Sequence, residues 1–453
     1  MSRRRWPNVL ESAWRWIKKV YLARSLVKWL GYVPDPRSGR KKKHDQVEIL
    51  ICIIIGFLNG KTTLRRIKRW CEKHLNDLRR YSAFSGGIAS VSTMSRLLRD
   101  IDEELLSLMF ASWIGEILST RGIHIAIDGK GLRAAANKLR DGRTPYILNA
   151  LDVTTKLVVA QIAIREKTNE MTAIPELIQL IDIEGSTITI DAIGATANIM
   201  DQIGAQNGDF VLQVKKNCPN LYQELMDLFA GLKRQKKEDP VIFEKKSQKY
   251  YDEYHQSEHN RDRYEYRDAA VYFNEDDMKP FQEERSHVLC VGFIQQVRIK
   301  QINDENGNDV TPSLPDFMKS GSKKQPRPVV GDEMDDDIQR IGMIASRVLS
   351  AKEMAQYKRN HWAVENSLHY VLDNTFGEDR CTVRNGKNAL AVLRKFAYNI
   401  VRLLQIREKS NLTIVGDVID DLQDDFNLIA QYVFKPIPGF IECEEDSEDE
   451  DVA

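Results

Sequence analysis

Cysteine is scarce in this chain and nowhere arranged for chemistry. Six are scattered, at positions 52, 71, 218, 290, 381 and 443, with no Cys-x-x-Cys pair among them. That argues against a disulfide framework and a zinc ribbon, and it suits a reducing cytoplasm. Long apolar runs are lacking too: the stretch from Ile49 to Leu58 has about half the length a bilayer crossing needs. The basic N-terminus leads into no apolar core with a cleavage site, so neither a membrane span nor a signal peptide is expected. Net charge is also missing, because 66 Lys and Arg balance 66 Asp and Glu. A chain of 453 residues, 42% hydrophobic and 29% charged, is expected to be soluble and to form two or three domains.

The balance of charge conceals an asymmetry. Residues 1–43 hold thirteen Lys or Arg against two acids, Glu11 and Asp35, whereas Glu442–Asp451 holds eight acids and no base. A basic arm on a balanced chain points to a polyanion, most often nucleic acid. In the arm, Trp14, Ile17 and Tyr21, then Leu22, Leu26 and Trp29, recur at helical spacing, and Pro34 and Pro36 end the element. Two roles stay open for it: a simple docking helix, or phosphate contacts from Arg37, Arg40, Lys41, Lys42 and Lys43.

Residues 44–116 read as a helical domain. A buried helix ends at Gly60, an amphipathic one presents Leu64, Ile67 and Trp70 inward, and a third starts at Ser90 or Ser92. That third helix is either a recognition helix for a major groove or plain helical packing.

Two stretches carry the chemistry. In Ile123–Gly131, isoleucines alternate with His124, Ala126 and Asp128, so the strand exposes Asp128 on its other face before an expected sharp turn at Gly129. In Thr187–Gly194 the plan repeats, with Ile188 and Ile190 against Thr187, Thr189 and Asp191. Residues 121–216 read as β-β-β-α-β-α-β, which gives a ribonuclease-H-like order: a mixed five-stranded sheet with helices on both faces. Residues 217–345 interrupt it as a β-rich insertion, with strand-like runs at Val-Ile-Phe-Glu-Lys-Lys-Ser, Arg-Tyr-Glu-Tyr-Arg and His287–Ile299, and with residues 303–337 as a polar, mobile loop. Residues 346–408 return to the core as helices, and residues 409–453 form an extension with an acidic tail. On the first of these helices Val364, Leu368, Val371 and Leu372 form the core stripe, His361 lies within it and Glu365 at its edge.

Three carboxylates brought together repel unless cations neutralise them. Oxygen-only ligation suits two Mg²⁺ or Mn²⁺ ions, which activate an attacking oxygen and stabilise the leaving one in phosphoryl transfer. Asp128 would bridge the pair, Asp191 would hold one ion and Glu365 the other.

The strings IAIDGK, REKTNEMTAIPELI, TITIDAIG and HWAVENSLHYVLDNTFGED resemble the DDE-type insertion-sequence transposases of the H-repeat-associated group, over residues 35–405. The resemblance implies a ribonuclease-H-like catalytic fold beside an α-helical N-terminal domain. It implies cutting of double-stranded DNA at inverted-repeat ends and joining into target DNA, by a homodimer when two ends are synapsed. It also implies Asp128, Asp191 and Glu365 as the acidic triad, in a prokaryotic cytoplasm at the nucleoid. Carried over with the motifs are Lys130 at phosphate, Lys167, Asn169 and Glu170, Arg263, Glu265 and Arg267 at a DNA face of the insertion, and His361, Trp362, Asn366 and His369 around the glutamate. Departures stand at Thr196 and Cys218, where the group has Gln, and at His361 and Leu372, where related branches carry Arg and Lys. A nuclease that cuts without joining, and a domesticated DNA-binding protein with a vestigial triad, are the competing functions.

Overall fold

The structure, a computed structural model, describes residues 24–37, 42–132, 146–164, 170–191, 194–260, 263–285, 287–301, 306, 309, 338–381, 383, 385–408, 414–423 and 425–439. It forms two compact units, residues 1–119 with 372–453, and residues 120–371.

The first unit is helical. Its centre is α2 (Gln46–Leu58), which follows a short α1 (Leu26–Leu30). The Asp45 carboxylate caps α2 by accepting from the Val47 and Glu48 amides, and nearly every residue of the helix is buried, as its unbroken apolar run requires. Gly56 lets α3 (Leu64–Lys73) approach closely: a Cβ there would lie 2.6 Å from Ile67 Cγ1. A one-turn α4 (Leu75–Leu78), then α5 (Val91–Asp100) and α6 (Glu103–Gly115) complete the N-terminal part.

From the other end of the chain, the long helix Lys387–Arg407 packs on α2 and α6, with Phe396 set edge-on to Phe110 at 4.9 Å. That helix was expected to belong to the ribonuclease-H-like core and to be amphipathic. It is buried almost all round, and the apolar faces of α2 and α6 cover it. Val415–Leu422 and Phe426–Phe434 are the last helices.

The second unit is one nine-stranded sheet. Its strands are β1 (His124–Gly131), β2 (Tyr146–Asp152), β3 (Val158–Ile164), β4 (Thr187–Ile190), β5 (Asp209–Val214), β6 (Tyr251–Asn260), β7 (Arg263–Tyr272), β8 (Cys290–Lys300) and β9 (Ile338–Ala345), in the order β3-β2-β1-β4-β5-β9-β8-β7-β6. β1, β2 and β3 are antiparallel neighbours, while β4 and β5 run parallel to β1, which is the expected ribonuclease-H-like arrangement.

The insertion is not a separate body. β9 pairs with β5 on one side and β8 on the other, so β6 to β8 continue the same sheet past what would otherwise be a bare edge. One expected strand is a helix: Pro240–Lys246 starts at a proline in its first turn, with the Asp239 side chain accepting from the Ile242 amide. Nor does β1 turn at Gly129. It runs on to Gly131, and the glycine is needed because the Tyr146 ring lies where a Cβ would be, 2.2 Å away. Among the described residues no helix is long and apolar enough to cross a membrane.

Candidate active site

Register brings the two aspartates together. His124 pairs with Thr187 and Ile127 with Ile190, in parallel, so Asp128 and Asp191 follow at the same level of adjacent strands. Alternation puts His124, Ala126 and Asp128 on one face of β1, and Thr187, Thr189 and Asp191 on the same face of β4.

The helix Ala351–His361 lies on that face. Its start is fixed by a capping box between Ser350 and Glu353, and the Ala351 amide donates to Asp252 Oδ2 at 2.8 Å. Tyr357 donates its hydroxyl to Thr187 Oγ1 at 3.3 Å, and His361 Nδ1 meets Thr189 Oγ1 at 3.1 Å. From the other side His124 Nε2 meets the same hydroxyl at 2.9 Å. Burial, the largest cause, holds His361 down to about 4 despite the Asp191 charge, and holds His124 at about 3. Both rings are therefore neutral at pH 7, and the single Thr189 hydroxyl proton goes to one ring nitrogen while the other ring donates.

Beyond His361 the backbone widens into a π-helical turn, Val364–His369, a form that tends to mark functional sites. Val364 and Leu368 stay buried and Glu365 is exposed. The turn ends over β1. His369 Nδ1 lies 3.6 Å from Asp128 Oδ2, and its Nε2 accepts from Asn149 Nδ2 at 3.3 Å. That acceptor role leaves the ring proton on Nδ1, facing the carboxylate. Lys130, on the same face as Asp128, donates Nζ to the His369 carbonyl at 3.3 Å and is buried.

Glu365 thus belongs to a segment tied at one end beside Asp191 and at the other to Asp128. All three side chains offer only carboxylate oxygens, the donor type that Mg²⁺ and Mn²⁺ take. Among the described residues no three His, Cys, Asp or Glu side chains are gathered closely enough to hold an ion.

Several residues expected at DNA have other partners. Arg267 is buried between Glu258, 3.1 Å from its Nη1, and Glu265, which pairs with its Nη2. Burial and these two carboxylates hold it within the insertion. His361 and Lys130 are buried as described above. Trp362 lies under the Arg298 guanidinium, 4.3 Å from the ring centroid. Arg263 opens β7, opposite Asn260 and Lys300, with its side chain outside the described residues.

In the arm, Arg37 is held by Asp35 and by the His44 carbonyl, Lys42 lies 3.2 Å from Asp35, and Lys43 is exposed. Arg40, Lys41, Lys167, Asn169 and the loop 310–337 lie outside the described residues.

Three residues of the site carried no signal strong enough to single out. Asn149 is a polar residue in an apolar strand, opposite Asp128 in the antiparallel register. Thr189 stands between isoleucines, on the Asp191 face of its strand. Lys358 donates to Gln296 at 2.6 Å, and burial, with Arg298 and Arg267 nearby, lowers it to about 8.

Comparison with known proteins gives concordant matches. Residues 119–400 match the family model described as a transposase DDE domain, and residues 27–114 the model described as DDE_Tnp_1-associated. The putative protein YbfL of Escherichia coli (strain K12) is 30% identical over 383 residues, covering 83% of this chain and 90% of that protein. The H repeat-associated putative transposase YhhI of the same strain matches with the same identity and coverage. The putative transposase YncI of Escherichia coli O157:H7 is 28% identical over 389 residues, or 83% of this chain and 87% of that protein.

Proposed function

The chain belongs to the transposase DDE-domain family, and on that premise we propose that it cuts double-stranded DNA at the ends of an insertion element and joins the freed 3′-hydroxyl to target DNA. One observation carries this most directly. Asp128 and Asp191 stand in register on one face of the sheet, and the segment bearing Glu365 is anchored to that face at both ends.

Asp128, Asp191 and Glu365 would hold two Mg²⁺ or Mn²⁺ ions, which when bound lower the pKa of an attacking water or hydroxyl and stabilise the leaving oxygen. The protein's own groups set the frame. His369 steadies the Asp128 carboxylate from one side while Asn149 fixes its ring. Thr189, held between two neutral rings, fixes the path of β4 just before Asp191. Lys130 ties β1 to the π-turn, so that a shift of Glu365 is coupled to Asp128.

The test uses the full chain and linear DNA that includes the sequences flanking its gene, with Mg²⁺ or with EDTA. Cleavage at inverted-repeat boundaries, leaving 3′-hydroxyls that join a second plasmid, is expected only with the metal and not with Asp128→Asn. Cutting by Asp128→Asn at the wild-type rate would defeat the assignment. Cutting with no joined product from a pre-cut end would leave a nuclease.

A further inference from the structure

In the helical unit, the outer face of α3 carries charge of one sign. Successive residues of a helix stand about 100° apart, so the buried Leu64, Ile67 and Cys71 form one stripe and Arg65, Arg66, Arg69 and Lys73 fill the opposite side. All four of these cations are exposed, and none forms an ion pair among the described residues. The one acid of the helix, Glu72, is held by Lys68. Arg65 also stands beside Arg96 and Arg99 of α5 and Arg380, around a concavity that no carboxylate lines. Asp100 holds Arg99 at 2.7 Å, whereas Arg96 donates to the Thr93 hydroxyl at 3.4 Å and Arg380 forms no ion pair among the described residues.

This arrangement works against the helix that carries it. Arg65 and Arg69, then Arg69 and Lys73, are like charges one turn apart, where an acid and a base would attract. Arg65 and Arg66 occupy the first turn, where the helix dipole favours acids, and that turn has none. In the same unit α6 opens on Glu103 and Glu104, as the dipole prefers. A face selected for stability or solubility alone would intersperse acids, of which the chain has 66. The charge on α3 is therefore kept for a partner, and its pattern says which. A protein or membrane partner calls for apolar side chains at the contact, and α3 turns its apolar stripe inward. From Arg65 to Lys73 the face runs about 12 Å, too long for a single phosphate group. A DNA strand sets down a charge about every 3.4 Å of duplex axis, so several phosphates fall along that length.

We propose that the outer face of α3, with Arg96 and Arg380 beside it, holds the phosphate backbone of duplex DNA. The inference rests on the proposal that the chain acts on DNA, but it concerns binding that is independent of sequence and of cleavage.

The experiment measures binding of the full chain to a short labelled duplex of arbitrary sequence, in EDTA, over a series of salt concentrations. Arg65→Ala with Arg69→Ala should lower the salt slope by about 1.8, because two phosphate contacts are lost. The same variant should melt at or above the wild-type temperature, since it relieves repulsion on an exposed face and alanine favours the helix. Arg65→Lys with Arg69→Lys should keep most of the slope. Lys68→Ala with Arg80→Ala removes two cations that Glu72 and Asp77 already hold, and should keep the wild-type slope. An unchanged slope in the Arg65 and Arg69 alanine variant would overturn the proposal, as would an equal fall in the Lys68 and Arg80 variant, which would leave only net charge. A wild type that binds the duplex without salt dependence would overturn it too. A glutamate-rich peptide that binds as tightly as the duplex, and is lost with Arg65 and Arg69, would overturn it in favour of an acidic protein. Cleavage separates the two claims: a wild-type slope in Asp128→Asn, which no longer cuts, supports the α3 face alone, and a cutting chain whose affinity ignores Arg65 and Arg69 sinks the α3 face alone.

Discussion

Two regions of the nine-stranded sheet use charge in opposite ways. On the adjacent strands β1 and β4, Asp128 and Asp191 are half-buried acids on one face, and the His369 ring stands 3.6 Å from Asp128. At the β6–β8 end the charges cancel within the protein. Arg267 is held by Glu258 and Glu265, Arg359 reaches Glu258 at 2.6 Å, and Arg298 reaches Glu265 at 3.5 Å while covering Trp362. The contrast teaches that a basic residue is available to DNA only where acids of the fold do not already hold it. Counted along the chain, Arg267 and the exposed Arg65, Arg96 and Arg380 of the helical unit are equivalent. In space Arg267 is neutralised, and Arg65, Arg96 and Arg380 form no ion pair among the described residues.

The largest expected effect breaks the comparison from the active region. Asp191→Asn is nearly isosteric and removes one charge from a half-buried position. It should lower cleavage by about a thousandfold or more while leaving DNA affinity and the melting temperature close to those of the wild type. A large loss of stability instead would make Asp191 a structural residue, and the two regions would no longer differ. The opposite pattern is expected at the insertion. Arg267→Ala takes one of two arginines from each of Glu258 and Glu265, with Arg359 and Arg298 remaining, and should destabilise the fold by about 2–3 kcal/mol as read by denaturant unfolding. The salt slope of DNA binding should not change in the folded fraction. A lowered slope with unchanged stability would show that Arg267 does reach phosphate.

A smaller effect follows from the neutral rings between the two regions. His361 and His124 titrate near 4 and near 3 in the folded protein, against 6.5 for an ordinary histidine, mainly because they are buried. Between those values the unfolded chain binds more protons, so stability is full above pH 6.5 and falls as pH drops towards the folded values. For His361 alone the loss by pH 5 is about 2 kcal/mol. His361→Gln should flatten this part of the stability profile, although it loses some stability at neutral pH. An unflattened profile would mean that other groups govern the acid transition.

How much of this was legible follows from the range of each interaction. The period-two alternation around Asp128 and Asp191 is local, and it gave the strands, their shared face and the first five places in the sheet. The position of the Glu365 helix over that face was legible from its apolar stripe. Its π-turn was not, because the turn is set by where His361 and His369 find Thr189, Asp128 and Asn149. That the insertion extends the same sheet was not legible, because β9 and its partner β5 are far apart in sequence. β6 is largely polar, since much of its length pairs charges instead of covering a core. The role of Arg267 could not be read at all, because a motif string carries no information on which acids lie opposite.

The smallest expected effect bears on the arm, where the comparison can be repeated on the half-buried Arg37 and the exposed Lys42. Lys42 and Arg37 both approach Asp35, and together they hold its carboxyl down to about 2, with burial opposing them. Arg37 is additionally fixed by the His44 carbonyl, so it is already used within the fold, while Lys42 sits at the exposed edge of the pair. If neutralisation is the criterion, Lys42 can exchange its share of one carboxylate for a phosphate at little cost, and Arg37 cannot. Lys42→Ala should therefore change stability by less than about 0.5 kcal/mol and lower the salt slope of DNA binding by about 0.9. Arg37→Ala should leave the slope alone and disturb the start of α2, through the lost bond to His44. The reverse assignment, a slope that responds to Arg37 and not to Lys42, would show that pairing inside the protein does not predict which basic residues meet DNA.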